Sequence, residues 1–159
     1  MKRIGVLRHG KAEHTPGMLS DFERKLTPKG EEKVASLAGN CLTQFGHPDC
    51  IFSSPAVRAL RTSEILVQSA GFSSRIEIHE ELYAADMQDI MDLMAGLPEE
   101  MESVIIVGHN PSIEDLLADL CREYIRLKPA YFYMIDLDIQ SWDEIFGKVS
   151  VMNGKILKP

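Results

Sequence analysis

Arg8-His9-Gly10 follows the first apolar run, Ile4-Gly5-Val6-Leu7, and sets a guanidinium beside an imidazole where a short buried strand should stop. The same event recurs twice. Cys50-Ile51-Phe52 leads through Ser53-Ser54-Pro55 to Arg58, and the strongly β-branched run Val104-Ile105-Ile106-Val107 ends at Gly108-His109-Asn110-Pro111. Parallel strands of one sheet place their carboxyl ends along a common edge, where ligands of open α/β sheets bind. Arg8, His9, Arg58 and His109 are therefore expected to meet at one site. Guanidinium forks match phosphoryl oxygens in bidentate fashion. A neutral imidazole can attack phosphorus and hold the phosphoryl group covalently until water removes it. Helix amino termini expected at Ser54 and Asn110 would add N–H donors and positive dipole ends. Phosphoryl transfer depends mainly on positioning and electrostatics, so this inventory suits it. No G-x-x-x-x-G-K-S/T loop is present.

The elements that must position these groups alternate strand with helix. Residues 11–26 read as a polar loop, with Pro16 and Gly17 as breakers. Thr27 should cap a helix starting at Pro28, with Val34, Leu37, Cys41, Leu42 and Phe45 on one face and Gly46 at its end. Ser54 should cap a second, starting at Pro55 and closed by Gly71. A weak strand is expected at Ile76–Ile78 and a helix over Asp86–Leu97. Asn110 should cap a helix starting at Pro111 that buries Ile113, Leu116, Leu117, Leu120 and Tyr124. Ala130–Leu137 and Lys148–Met152 read as an antiparallel pair. This rhythm predicts an α/β fold, a three-layer α/β/α sandwich with a mostly parallel central sheet and an antiparallel C-terminal pair, spanning 1–159 as one domain.

A net charge of −7 argues against a nucleic-acid surface, since phosphate backbones are bound by basic patches. Cys41, Cys50 and Cys121 make an odd set without C-x-x-C spacing, which suits a reducing compartment. No stretch is long and apolar enough for a signal-peptide core or a membrane span, so a cytoplasmic protein with no membrane partner is expected. His14, His47 and His79 read as surface residues, and no zinc-type spacing occurs.

Leu7-Arg8-His9-Gly10, Ser53-Ser54-Pro55 with Arg58-Ala59 and Thr62, and Val107-Gly108-His109-Asn110 resemble the histidine phosphatase superfamily, the phosphoglycerate-mutase-like family. Arg24-Lys25-Leu26-Thr27-Pro28-Lys29-Gly30 and the short length resemble its SixA branch of small phosphohistidine phosphatases. The resemblance implies that His9 is the nucleophile that becomes phosphorylated. It implies that Arg8 and Arg58 bind phosphoryl oxygens, that His109 donates to them, and that Arg24 reaches the same pocket. No metal or organic cofactor is implied. Arg58 and Arg61 share a helix face broadly; the motif spacing favours Arg58 and leaves Arg61 structural.

Many superfamily members supply a glutamate as general acid between the second and third blocks. The corresponding stretch here offers Glu80, Glu81 and Asp86, none of which aligns with it. A missing acid suits phosphohistidine on a signalling protein, whose imidazole leaves with little help, better than a phosphate ester, whose alkoxide needs a proton. The alternatives are a phosphatase of small phosphate esters and, in a different class, a catalytically silent phosphate-binding or docking module.

Overall fold

The computed structural model describes residues 1–14, Gly17 and 20–159; Pro16, expected as a loop breaker, lies outside them. The strands are β1 (Lys2–Arg8), β2 (Cys50–Ser53), β3 (Arg75–Ile78), β4 (Ser103–Gly108), β5 (Phe132–Leu137) and β6 (Val151–Leu157). The helices are α1 (Pro28–Gln44), α2 (Val57–Ala70), α3 (Met87–Ala95) and α4 (Ser112–Cys121). One sheet runs β3-β2-β4-β1-β5-β6. The first four strands are parallel, while β5 runs antiparallel to β1 and β6 to β5. This is the mixed three-layer α/β arrangement expected from the alternation.

Successive strand residues face opposite layers. Ile4, Val6, Val104 and Ile106 pack with α3 and α4, whereas Leu7, Ile105 and Val107 pack with α1 and α2. β4 lies between β1 and β2 and is buried from Val104 to Gly108, as its all-apolar sequence requires. Register aligns Arg8 with Gly108 and Ser53 with Val107, so three strands stop level with one another. No helix among the described residues is long and apolar enough to cross a membrane.

Several boundaries depart from the sequence expectation. α2 begins at Val57 after Ala56, not at Pro55, and α4 at Ser112 after Pro111; neither has a side-chain cap. Ser54 and Asn110 are engaged elsewhere, as described below. Tyr124 lies beyond α4 and is 72% exposed, because Arg122 has already turned the chain left-handed at φ 57°. β6 occupies 151–157, so the antiparallel pair forms later in the chain than 148–152. At Gly10 a Cβ would come within 3.0–3.2 Å of Val34, the Gly30 carbonyl and Leu26, so a side chain there fits only if these neighbours give way.

Candidate active site

The level strand ends bring Arg8, His9, Arg58 and His109 together from positions up to a hundred residues apart. They line a cleft of about 390 Å3 with Asp21, Arg24, Tyr83, Ala84 and Asn110. The His9 and His109 rings lie with centroids 5.0 Å apart. The Gly10 N–H donates to Thr62 Oγ1 at 3.0 Å, and that hydroxyl donates to the Arg58 carbonyl at 2.7 Å. Thr62 thus ties the end of β1 to the first turn of α2.

Hydrogen bonding assigns the proton on His9. Its Nδ1 lies 2.7 Å from the Gly10 carbonyl, which can only accept, so Nδ1 carries the hydrogen and Nε2 keeps its lone pair. Arg58 Nε donates to that Nε2 at 3.3 Å. Burial, with the positive neighbours His109, Arg58 and Arg8, pushes the His9 pKa down to about 3 against the opposing Gly10 bond. The ring is neutral at physiological pH.

His109 is arranged differently. Arg58 Nη2 donates to its Nδ1 at 3.3 Å, and its Nε2 lies 2.7 Å from Ser54 Oγ. In this arrangement Nε2–H donates to Ser54, which also accepts from the Ala56 N–H at 3.3 Å. Burial, assisted by Arg58, lowers the His109 pKa to about 4.

The four arginines take distinct places. Arg58 is only 5% exposed and donates from Nη1 to the Asp21 carbonyl at 2.6 Å and from Nη2 to Asp21 Oδ2 at 3.0 Å. Arg8 donates from Nη1 to the Leu127 carbonyl at 2.9 Å, while its Nε is buried without an acceptor among the described residues. Arg24 lines the cleft, but its donors go to the Glu13 carbonyl at 2.7 Å and to Asp21 Oδ1 at 3.1 Å. Arg61 points away to Glu31 and Glu64.

Other site residues were not singled out in the sequence. Glu114 accepts from the Leu127 N–H at 2.7 Å and from the Tyr124 hydroxyl at 3.1 Å, shaping the loop whose Leu127 carbonyl receives both Arg8 and Asn110. Asp21 receives Arg58, Arg24 and the Tyr83 hydroxyl, the last at 3.0 Å. Burial alone would raise the Asp21 pKa; these donors outweigh it and hold the carboxyl at about 2. The spacing Asp21…Arg24 hinted at an i,i+3 pair, but nothing local connected Asp21 to Arg58. Of the candidate acids, Asp86 caps α3, Glu81 lies beside His79, and neither they nor Glu80 line the cleft.

The chain is 31% identical over 150 residues to the phosphohistidine phosphatase SixA homologue of Haemophilus influenzae, covering 88% of each chain. It is 30% identical over 111 residues to an uncharacterised Mycobacterium leprae protein, covering 67% of this chain and 66% of that one. The fold matches the structure of the protein histidine phosphatase SixA complexed with tungstate, at a TM-score of 0.81 and 22% identity, covering 96% of this chain and 95% of the other. The sequence model of the histidine phosphatase superfamily (branch 1) matches residues 4–104. The match takes in Arg8 and His9 at the end of β1 and Arg58 on α2 and stops four residues before Gly108, and on it the chain belongs to the histidine phosphatase superfamily.

Proposed function

We propose that this phosphatase removes phosphate from phosphohistidine on a protein, through a phosphohistidine intermediate on His9. Once the Arg58 Nε–H passes from His9 Nε2 to a phosphoryl oxygen, the Nε2 lone pair attacks phosphorus in line with the departing nitrogen. The substrate imidazole leaves as a neutral ring when its other nitrogen carries a proton, so no protein acid is needed. Arg58 and Arg8, both lining the cleft, hold the phosphoryl oxygens. When Arg58 turns its Nη2–H onto a phosphoryl oxygen, His109 can donate from Nδ1, because the Ser54 hydroxyl can serve either tautomer by donating instead of accepting. Water then attacks the phosphoryl group on His9. The P–N bond breaks, Nε2 recovers its lone pair, and both protons of the water leave with the orthophosphate monoanion.

The observation that carries this substrate choice is the single carboxylate lining the described cleft. Asp21 is kept ionised by Arg24, Arg58 and Tyr83 and has no proton to give an alkoxide. The relative from Haemophilus influenzae bears the name of a phosphohistidine phosphatase, which supports the same reading.

The test compares a purified phosphohistidine protein, phosphoramidate and an ester of poor leaving group, with acid-labile phosphate on the enzyme measured during turnover. Labelling of wild-type protein but not His9→Ala, with the ester turned over far more slowly, is the expected result. Native turnover by His9→Ala would overturn the mechanism. An ester rate that collapses on substituting Glu80, Glu81 or Asp86 would favour the small-ester reading. Binding of phosphate without any turnover would leave a docking module.

A further inference from the structure

The Arg58 guanidinium is a rigid planar fork with two usable edges. The side edge, Nε with Nη2, faces the histidines: Nε reaches His9 Nε2 and Nη2 reaches His109 Nδ1, both at 3.3 Å. The end edge, Nη1 with Nη2, is taken by Asp21 through its carbonyl at 2.6 Å and its carboxylate at 3.0 Å. We propose that Asp21 is a positioning residue: by gripping the end edge of Arg58 it aims the side edge at the space between the two histidines, where the phosphoryl oxygens must lie.

The grip is itself braced. Asp21 Oδ1 receives Arg24, whose Nε is fixed on the Glu13 carbonyl, and Oδ2 receives the Tyr83 hydroxyl. Phe22 packs against the Tyr83 ring edge-to-face at 5.1 Å. Arg24 and Tyr83 therefore act through Asp21; Arg24 Nη1 goes to Asp21 and its Nε to the Glu13 carbonyl, neither to a histidine. Asp21 also supplies a counter-charge to a nearly buried guanidinium.

A rival role has the opposite sign. If the carboxylate stood in the place of the phosphoryl group, it would compete with substrate, and removing it would tighten phosphate binding and speed turnover. The edges separate the two roles: the carboxylate sits on the end-edge side of Nη2, with the Asp21 carbonyl beside it on Nη1, and neither takes the Nε that reaches His9.

This inference rests on the phosphatase reading for its consequence but not for its first test, which needs no turnover. In Asp21→Ala the main-chain carbonyl still holds Nη1 but Nη2 loses the carboxylate, so the fork can swing away from His9, and exchange of the Arg58 Nε–H, followed by nitrogen-edited NMR, is expected to accelerate at least about tenfold. Unchanged exchange overturns the proposal whatever the substrate proves to be. In turnover of phosphoramidate, the same variant is expected to lose about tenfold to a hundredfold in kcat, the scale of an ångström-sized misplacement. Inhibition by orthophosphate should weaken by less than about threefold, because all the cleft cations remain. Faster turnover with tighter phosphate binding would establish the competitor role instead. Asp21→Asn keeps an acceptor for Nη2 and Tyr83 and should recover part of the lost kcat. Tyr83→Phe removes one brace without touching Arg58 and should lower kcat by about twofold to fivefold, guarding against a folding defect in the first variant. Adding Asp21→Ala to Arg58→Ala should cost nothing further; full additivity would show that Asp21 does not act through Arg58.

Discussion

Helices α1 and α3 begin in one way and helices α2 and α4 in another. Thr27 Oγ1 accepts the Gly30 N–H at 2.9 Å to start α1, and Asp86 Oδ1 accepts the Asp89 N–H at 3.0 Å to start α3, where Asp89 reaches back to the Asp86 N–H at 2.9 Å. α2 and α4, which leave the strands ending at the cleft, start from Ala56 and Pro111 without a side-chain cap. The polar residues expected to cap them are used otherwise. Ser54 serves His109, and Asn110 Nδ2 donates to the Leu127 carbonyl at 3.2 Å. A cap contributes about 1 kcal/mol, which α2 and α4 forgo because their apolar faces are buried against the sheet. Along this sheet edge, short polar side chains orient the reacting groups; away from it the same residue types stabilise helices.

The comparison is broken most severely at the start of α2. Arg58→Ala should lower kcat/KM for phosphoramidate by at least about a thousandfold, the scale of a lost transition-state arginine; a loss under tenfold would remove this helix start from the chemistry. Ser54→Ala deprives His109 of its Nε2 partner and should lower kcat by about tenfold or more, along with about 1–3 kcal/mol of stability from the donors left unpaired. A variant that loses stability but keeps its rate would make Ser54 an ordinary cap after all.

The two histidines sharpen the contrast through pH. Their pKa values are depressed in the fold, to about 3 and about 4, while the unfolded chain takes up protons below the ordinary value of 6.5. The unfolded state therefore binds more protons, and stability falls as pH drops from 6.5 towards 4 and then 3. Urea midpoints between pH 7 and 4 check this, with His9→Ala expected to flatten the slope. The His9 ring should show no titration by NMR between pH 8 and 5.

The smallest effect is expected at α3. Asp86→Ala should cost about 0.5–2 kcal/mol of stability and leave kcat unchanged. Loss of ester hydrolysis without loss of stability would instead identify Asp86 as an acid.

Much of the fold was legible because its signals are local. Val104–Val107 is apolar throughout, as a strand covered on both faces must be, and Thr27-Pro28 marks a helix start within two residues. The strand-end positions of Arg8, His9 and His109 followed from the same signals, since a parallel sheet aligns its carboxyl ends whatever the intervening sequence. Boundaries at Ser54 and Asn110 were misread because a side chain that can cap a helix can equally bond a histidine or a loop carbonyl. Only the folded chain shows which partner is nearer.

The amino-acid sequence by itself determined which residues meet at the sheet edge and what chemistry they can perform, because residue type and strand order suffice for that. The tertiary structure decided their states: the proton on His9 Nδ1, the neutral imidazoles, the edge of Arg58 that faces them, and the ionised Asp21 behind it. Those depend on burial and on distances of about 3 Å between groups remote in the chain, where a shift of one ångström removes a hydrogen bond.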